Sequence, residues 1–312
     1  MKKLCSTKDM PREEWLAWRR GGIGGSDAAV IVGLNPYRSR LELYADKLGL
    51  MPEREDSEAM RIGRDLEAYV ADRWAEATGK KYRRTNFMYC HDRYDFIRAN
   101  VDREVIGEKA GLECKTTSVY NKSDFENGEI PLAYYCQCQH YMAVMGYERM
   151  YLAVLVLGKA FYHFVIERSE EEINTLLENE VEFWRQYVEN RLPPEPDGSE
   201  SAAAAIRAMQ GESSRPEGFK LMMQYENDLA HLNALNGQIK ALQQETEAIR
   251  QALMLALGEA ESGESEQYVL SYRPQNRVNV DLAALREKYP QAYKECSKNI
   301  QYRTLKIKEK RK

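Results

Sequence analysis

The longest apolar run in the sequence is MYLAVLVLG, at residues 150–158. A helix that crosses a membrane needs about 20 such residues, so this run is far too short to span one. A continuous apolar run of this length is typical of a strand buried inside a sheet. We therefore expect a sheet with a buried strand at this position, and we predict no membrane role.

Segments with helical and strand periodicity alternate around this strand. A helix is predicted at 11–19, and a short apolar helix follows the stretch GGIGGSDAAV, with Ser26 as its N-cap. Further helices are predicted at 39–49, 57–78, 131–146 and 169–190, and strands at 81–88, 96–102, 112–117, 149–157 and 160–168. This order predicts an α/β domain with a central mixed β-sheet flanked by helices.

The chain is expected to divide into three parts. Residues 1–195 form the α/β domain, 196–217 form a linker rich in Pro, Gly, Ser and Ala with room for a brief helix, and 218–312 form a C-terminal extension. In the extension, apolar positions alternate spacings of three and four, which predicts a long helix with coiled-coil character. These positions are Leu232, Leu235, Ile239, Leu242, Thr246, Ile249, Leu253 and Ala256.

Two features of the extension leave alternatives open. The heptad helix either pairs with a partner or packs as a hairpin against the strand-like segment and short helix that follow it. The chain then ends in a basic tail between Arg303 and Lys312. Such a tail is most often a solvated end, although at low salt it would add non-specific phosphate contacts.

Charge and cysteine content limit the functional classes. With 45 basic and 49 acidic residues the net charge is −4. This excludes a globally basic protein that coats nucleic acid, so any contact with DNA must come from a local positive patch. The six cysteines show no zinc-binding spacing, and Cys136 and Cys138 diverge on a helix with no further cluster, so we expect no iron–sulfur cluster. We expect a reduced, cytoplasmic protein without a secretory signal.

The segment LECKT, at residues 112–116, is a candidate for chemistry. Side chains alternate along a strand, so Glu113 and Lys115 share one face. Asp102 ends the preceding predicted strand, and two converging carboxylates repel each other unless a cation lies between them. Mg²⁺, or alternatively Mn²⁺, takes such oxygen ligands. Glu67 stands in an apolar row of the 57–78 helix and would add a third carboxylate.

Lys115 would lie close enough to Glu113 to orient an attacking water or hold a phosphate oxygen. The alternative is a surface ion pair between Glu113 and Lys115, worth under about 1 kcal/mol. An E-x-K triplet alone favours that alternative. Asp102 and Glu67 are independent features, and together with the triplet they favour a metal-dependent site.

Several motifs follow one another along roughly the first two-thirds of the chain. They are WRRGGIGGSDAAVIVGLNPYRSRLELY, IGRDLEAYVADRW, ANVDRE, LECKTTS, YYCQCQHYMAVMG and FYHFVIERSEEE. Together they resemble the PD-(D/E)xK nuclease superfamily and, more narrowly, its λ-exonuclease-like family of YqaJ-type viral recombinases. The proline of the superfamily motif is absent, because Asn100, Val101 and Asp102 stand at that position.

The resemblance implies roles for individual residues. The family's helix glutamate, its metal ligands and its catalytic lysine correspond here to Glu67, Asp102, Glu113 and Lys115. Gln137 matches a glutamine that supports the active site, and with Tyr141 it forms a Q-x-x-x-Y pair on one helix face. Without the resemblance, Gln137 would be interpreted as a polar residue on a half-exposed helix.

The resemblance also assigns the binding of a terminal 5′-phosphate to Arg19 and Ser26. The local sequence agrees, because a glycine-rich turn that enters a helix presents backbone N–H groups and a favourable dipole to an anion. A guanidinium can bind phosphate through two hydrogen bonds. The alternative for Ser26 is a plain helix cap, which does not exclude phosphate binding.

For the whole chain the resemblance implies a Mg²⁺-dependent DNA exonuclease of phage or prophage recombination in the bacterial cytoplasm. It would act on double-stranded DNA ends in the 5′-to-3′ direction by a two-metal-type mechanism. The resemblance further implies a homotrimer and a single-strand annealing protein as partner. The alternatives are a RecB-like endonuclease or single-strand nuclease, and a non-catalytic DNA-binding scaffold, which the complete set of site residues disfavours.

Overall fold

The computed structural model describes residues 1–53, 56–211 and 223–298, together with residues 305 and 307. The chain forms two compact units, Met1–Arg215 and Pro216–Lys312. The basic residues of the predicted tail lie outside the described residues. None of the helices in the described ranges combines the length and the apolarity that crossing a membrane requires.

The first unit contains seven α-helices and eight β-strands among its described residues. The helices are α1 (Arg12–Arg20), α2 (Gly25–Ile31), α3 (Arg40–Lys47), α4 (Glu58–Thr78), α5 (Leu132–Met145), α6 (Glu170–Phe183) and α7 (Glu200–Gln210). The strands are β1 (Lys2–Ser6), β2 (Tyr82–Arg83), β3 (Phe87–Cys90), β4 (Arg98–Ala99), β5 (Arg103–Val105), β6 (Ala110–Thr117), β7 (Arg149–Val156) and β8 (Ala160–Glu167). A 3₁₀ segment, Val119–Gly128, precedes α5, and a π-helical turn, Trp184–Glu189, continues α6.

The central sheet has five strands in the order β2-β5-β6-β7-β8. β6 and β7 run parallel, and the other neighbours run antiparallel, so the predicted mixed sheet is confirmed. The crossover between the two parallel strands contains α5. β1, β3 and β4 form a separate small sheet.

Helices cover both faces of the central sheet. Trp74 of α4 packs against the face that carries Leu112 of β6. On the opposite face, Leu152 and Val154 of β7 join the core that contains Met142 of α5 and residues of α2, α3 and α6. Because Leu112 and Glu113 are adjacent in the strand, Glu113 projects toward α5 and away from α4.

The local sequence explains where several helices begin and end. The Ser57 hydroxyl accepts the backbone N–H of Met60 at 3.3 Å, and the Ser39 hydroxyl accepts that of Glu42 at 3.1 Å. Both serines satisfy a donor that the first turn of a helix leaves unpaired. α4 ends at Gly79, whose φ of 69° is a left-handed conformation that glycine adopts without strain.

The predicted strand at 96–102 is wrong as a single element. β4 pairs with β3 in the small sheet, whereas β5 pairs with β6 in the central sheet. Beside β4, the carbonyl oxygen of Ile23 accepts the Arg98 N–H at 2.8 Å. Asp102 lies between the two strands, directly before β5.

The segment predicted as a linker contains α7, which packs as part of the first unit. Ala202 and Ala205 are 2% and 0% exposed, and the Ser201 hydroxyl donates to the Glu42 carboxylate of α3. Small alanine side chains allow close packing against α3. The first unit therefore extends to Arg215 instead of ending at 195.

The second unit is built around one long helix. It contains α8 (Gln224–Leu257), β9 (Ser262–Glu264), β10 (Val269–Ser271), α9 (Leu282–Lys288) and α10 (Pro290–Cys296). β9 and β10 form an antiparallel pair. The long helix is therefore confirmed, and its coiled-coil pairing stays a prediction.

Candidate active site

The register of two strands places two carboxylates side by side. β5 pairs with β6 so that Arg103 lies opposite Leu112. Continuing this register by one residue places Asp102 opposite Glu113 on the same face. The backbone N–H of Cys114 donates to Asp102 Oδ2 at 2.9 Å and holds the carboxylate in this position.

This pair of acids is electrostatically unfavourable without a cation. Burial raises the pKa of Asp102 well above its ordinary value, and the negative charges of Glu113 and Glu67 raise it further. Glu113 is 3% exposed, and among the described residues no donor bonds its buried Oε2. An unpaired buried carboxylate oxygen is strongly destabilising. The site therefore favours the binding of a cation.

The other oxygen of Glu113 is well satisfied. Its Oε1 accepts hydrogen bonds from Lys115 Nζ at 2.7 Å and from Gln137 Nε2 at 2.6 Å, so Glu113 and Lys115 do meet on one strand face. Burial alone would lower the pKa of Lys115, but the charges of Glu113 and Asp102 outweigh it and raise that pKa. Lys115 is therefore an ammonium near neutral pH, suited to donating hydrogen bonds and stabilising negative charge.

Gln137 and Tyr141 lie one turn apart on α5 and face the same site. Gln137 Nε2 donates to the Tyr141 hydroxyl at 3.0 Å as well as to Glu113. Burial raises the pKa of Tyr141 well above its ordinary value, so its phenol stays protonated. A Cβ atom at Gly25 would lie 2.6 Å from Tyr141 Cε1 and 2.9 Å from Gln137 Cγ. Glycine at this position therefore permits the close approach of α2 to α5.

Glu67 is paired with a guanidinium, although its charge also acts on Asp102. α4 packs on the Leu112 face of the sheet, and Glu67 Oε1 accepts a hydrogen bond from Arg103 Nη1 at 2.5 Å. Arg103 is 2% exposed and also donates to the carbonyl oxygen of Asp102 at 2.7 Å. A buried guanidinium needs a carboxylate partner, and Glu67 supplies it.

Asp102 and Glu113 suit a hard divalent cation, whereas Glu67 as oriented does not. The unbonded Oε2 of Glu113 and the like charges of the pair are what such a cation would satisfy. In the described part of the chain, no three His, Cys, Asp or Glu side chains are grouped so as to hold a metal. A site with three carboxylate ligands stays a prediction.

Arg19 and Ser26 meet beside the glycine-rich turn. Arg19 Nη2 donates to Ser26 Oγ at 2.7 Å, and the guanidinium carbon lies 4.9 Å from the centre of the Trp15 ring. The predicted N-cap role of Ser26 is wrong, because Gly24 occupies the N-cap position of α2. A guanidinium carries five N–H donors, so the bond to Ser26 leaves capacity for an anion.

A buried charge network lies around Asp27, which follows this turn. The carboxylate of Asp27 accepts hydrogen bonds from Gly24 N at 3.0 Å, Lys47 Nζ at 2.6 Å and Arg38 Nη1 at 3.2 Å. Lys47 Nζ also donates to the carbonyl oxygen of Arg19 at 3.1 Å. Burial would raise the pKa of Asp27, but the charges of Lys47, Arg19 and Arg38 outweigh it and hold that pKa far below its ordinary value.

The sequence reasoning did not identify this network. An acid at the third position of a helix is a local signal, because it can bond the N-cap N–H. Lys47 and Arg38 are 20 and 11 residues from Asp27, and no helical or strand period connects them to it. Trp15 and Arg98, which line the pocket described next, were also missed, because no local sequence pattern connects them to the site.

One pocket of about 240 Å³ joins the two groups of predicted residues. Its lining includes Arg19 and Ser26 from the glycine-rich turn. It also includes Asp102, Lys115, Gln137 and Tyr141 from the carboxylate site. The structure thus brings together, in one cavity, a cation suited to phosphate and a site suited to a divalent metal.

The chain is similar to known proteins over the whole region that contains the predicted site residues. The family model of the YqaJ-like viral recombinase domain matches residues 14–148, a range that includes each predicted site residue. Protein YqaJ of Bacillus subtilis (strain 168) is 37% identical over 309 residues, which cover 98% of this chain and 97% of that protein.

Solved structures share the fold. The crystal structure of LHK-Exo, an alkaline exonuclease from Laribacter hongkongensis, matches with a TM-score of 0.50 at 20% identity, covering 58% of this chain and 94% of that one. The crystal structure of LHK-Exo in complex with dAMP matches with the same TM-score, identity and coverage.

Proposed function

Because the chain belongs to the YqaJ-like viral recombinase family, we propose that it is a Mg²⁺-dependent exonuclease that digests duplex DNA from 5′-phosphorylated ends. The observation that carries the proposal is the shared pocket, which is lined by Arg19 and Ser26 and also by Asp102 and Lys115. An enzyme that holds a terminal phosphate while it cleaves the neighbouring phosphodiester bond needs both groups in one cavity. The exonuclease LHK-Exo, which shares the fold, supports this assignment.

Each residue has a distinct task in this reaction. Arg19 would bind the terminal 5′-phosphate through charge-assisted hydrogen bonds, with Ser26 orienting the guanidinium. Lys115 would donate to a non-bridging phosphate oxygen and stabilise the charge that develops on it. Gln137 fixes Glu113 through its hydrogen bond. A divalent cation held by Asp102 and Glu113 would polarise the phosphate and lower the pKa of the attacking water.

Hydrolysis adds water across the P–O3′ bond. The water oxygen bonds to phosphorus, and the 3′-oxygen of the terminal nucleotide leaves with a proton. The products are a 5′-mononucleotide, the chemical class to which dAMP belongs, and a strand with a new 5′-phosphate. This new end has the same anionic group as the first, so Arg19 and Ser26 would bind it again in the next cycle.

A linear and a closed circular duplex test the requirement for an end. With Mg²⁺ present, we expect the linear duplex to be digested and the circle to remain intact. Rapid cutting of the circle would instead indicate the endonuclease alternative. Asp102→Asn should abolish digestion, and full activity in this variant would contradict the assigned site.

The phosphate role of Arg19 is tested with matched 5′-phosphate and 5′-hydroxyl ends. Arg19→Ala should slow digestion of phosphorylated ends by about tenfold or more, because hydrogen bonds between charged groups contribute about 1.5–3 kcal/mol. Arg20→Ala is a control on the same helix, since Arg20 is directed to Asp46 at 3.9 Å. Equal slowing on both kinds of end would refute phosphate recognition by Arg19.

A further inference from the structure

The long helix α8 carries an exposed apolar seam. Its positions follow the alternating spacing of three and four residues, and six large side chains of the seam keep 37–61% of their surface exposed. They are Leu232, Leu235, Ile239, Leu242, Ile249 and Leu253. A continuous apolar stripe of this length on a solvated helix is typical of an interaction surface.

We propose that α8 binds the α8 helix of a second copy of this chain as a parallel, in-register coiled coil. In the heptad notation, Leu232, Ile239, Thr246 and Leu253 occupy a positions, and Leu235, Leu242, Ile249 and Ala256 occupy d positions. The Thr246 hydroxyl donates to the carbonyl oxygen of Leu242 at 2.8 Å. This internal bond satisfies the one hydroxyl in the seam, so the seam presents an apolar surface to a partner.

Charges beside the seam select the occupant and its direction. Glu245 precedes Thr246 and takes a g position, while Arg250 follows Ile249 and takes an e position. In a parallel pair, a g residue faces the e residue five positions further along the partner. Glu245 of each copy therefore faces Arg250 of the other, which gives two symmetric ion pairs.

An antiparallel pair would lose this match. It aligns e positions with e positions, and the e positions of the seam are Asn236, Gln243, Arg250 and Leu257. Arg250 would then have no acidic partner. Of the remaining parallel pairs, Gln238 with Gln243 and His231 with Asn236 are polar, and Ala252 with Leu257 is apolar, so all three are compatible.

Among the described residues of its own chain, Arg250 has one weak competing ion pair. Its Nη1 lies 4.0 Å from Glu247 Oε2, and both side chains are more than half exposed. Such a pair contributes little and is screened by salt. Glu247 occupies the outer b position, so its charge also offers a matched control.

The test is the assembly mass of the full-length protein measured by sedimentation equilibrium over a range of concentrations. Glu245→Arg creates two like-charged pairs and should raise the dissociation constant at least about tenfold. Arg250→Glu should do the same. The double substitution E245R/R250E restores opposite charges and should return the assembly to within about threefold of the wild type. Glu247→Arg should leave it unchanged.

Ile239→Asp places a charge inside the seam and should remove the association that depends on α8. Circular dichroism of each variant verifies that α8 stays helical. A mass of one chain at all concentrations would overturn the proposal and indicate that the seam packs within its own chain or against another protein. An assembly that is unchanged by Glu245→Arg and by Ile239→Asp would overturn it as well.

Discussion

Asp27 and Asp102 are both withdrawn from water, yet their pKa values shift in opposite directions. Burial works against both charges. At Asp27 the cations Lys47, Arg19 and Arg38 reverse that effect and keep the carboxylate ionised. At Asp102 the anions Glu113 and Glu67 add to it, and Lys115 compensates only in part.

The difference separates an acid whose charge is balanced by its own chain from one whose charge is not. Asp27 is saturated by donors of its own chain and fixes the turn that carries Arg19 and Ser26. Asp102 stays under-compensated, with Glu113 beside it carrying an unbonded oxygen. Perturbed carboxylates that lack a partner of opposite charge are typical of functional sites.

The largest expected effect is on stability at Asp27. Asp27→Asn leaves the buried Lys47 without its anion and should lower the free energy of unfolding by about 3–5 kcal/mol. Asp102→Asn removes one of two repelling charges and should not lower it. Denaturant unfolding of both variants in the absence of divalent metal measures the contrast. An equal loss of unfolding free energy in both variants would contradict the distinction between the two aspartates.

The next effect is on catalysis at the Asp102 end of the pocket. Lys115→Ala should lower kcat by about 10²–10³, as is usual when a donor that stabilises transition-state charge is removed. Lys109→Ala is the control, because Lys109 is an exposed lysine paired with Glu148 on the turn before β6. The measurement is nucleotide release from a linear duplex. A loss of less than about threefold for Lys115→Ala would show that its ammonium does not act on the phosphate.

Glu67 sharpens the comparison, because the structure pairs it with Arg103 and not with a metal site. Glu113→Gln should weaken Mg²⁺ binding by about tenfold or more, which corresponds to about 1.4 kcal/mol. Glu67→Gln should change it by less than about threefold. Isothermal titration calorimetry of Mg²⁺ into the free protein measures both values. A loss with Glu67→Gln as large as with Glu113→Gln would return Glu67 to the metal site as the third carboxylate that the sequence predicts.

The smallest effect is a pH dependence with a defined sign. The pKa of Asp27 is lowered in the folded protein, so its stabilisation is complete above the ordinary carboxyl pKa of about 4 and is lost as the pH falls below it. The difference in unfolding free energy between the wild type and Asp27→Asn should therefore shrink by about 1 kcal/mol between pH 6 and pH 3. Denaturant titrations at each pH measure it, and a difference that grows on acidification would contradict the ion network.

Features set by neighbouring residues were predictable. α3 and α4 begin directly after Ser39 and Ser57, where helices were predicted to start, and α5 lies within one residue of its predicted boundaries. Glu113 and Lys115 share a strand face, and Gln137 contacts Tyr141 one helical turn away. Each of these features depends on a periodicity of two or 3.6 residues or on a cap within one turn, so the local sequence is sufficient to predict it.

Features that depend on distant contacts were not predictable. The hydroxyl of Ser26 is directed to Arg19, because Gly24 already caps α2 and Asp27 bonds its N–H. α7 lies in a stretch with the composition of a linker and joins the first unit through buried alanines that contact α3. Composition describes a segment, but burial depends on what packs against it.

By itself the sequence determined the order of the elements from α5 to α6, the strand face shared by Glu113 and Lys115, the Gln137–Tyr141 pair and the heptad spacing of α8. The tertiary structure decided the charge around each acid: three cations at Asp27, two further carboxylates at Asp102, and the guanidinium groups of Arg103 and Arg84 at Glu67. The physical reason is the distance along the chain over which each effect acts. Periodicity and capping act over a few neighbouring residues, whereas an electrostatic environment is the sum of groups that only folding brings together.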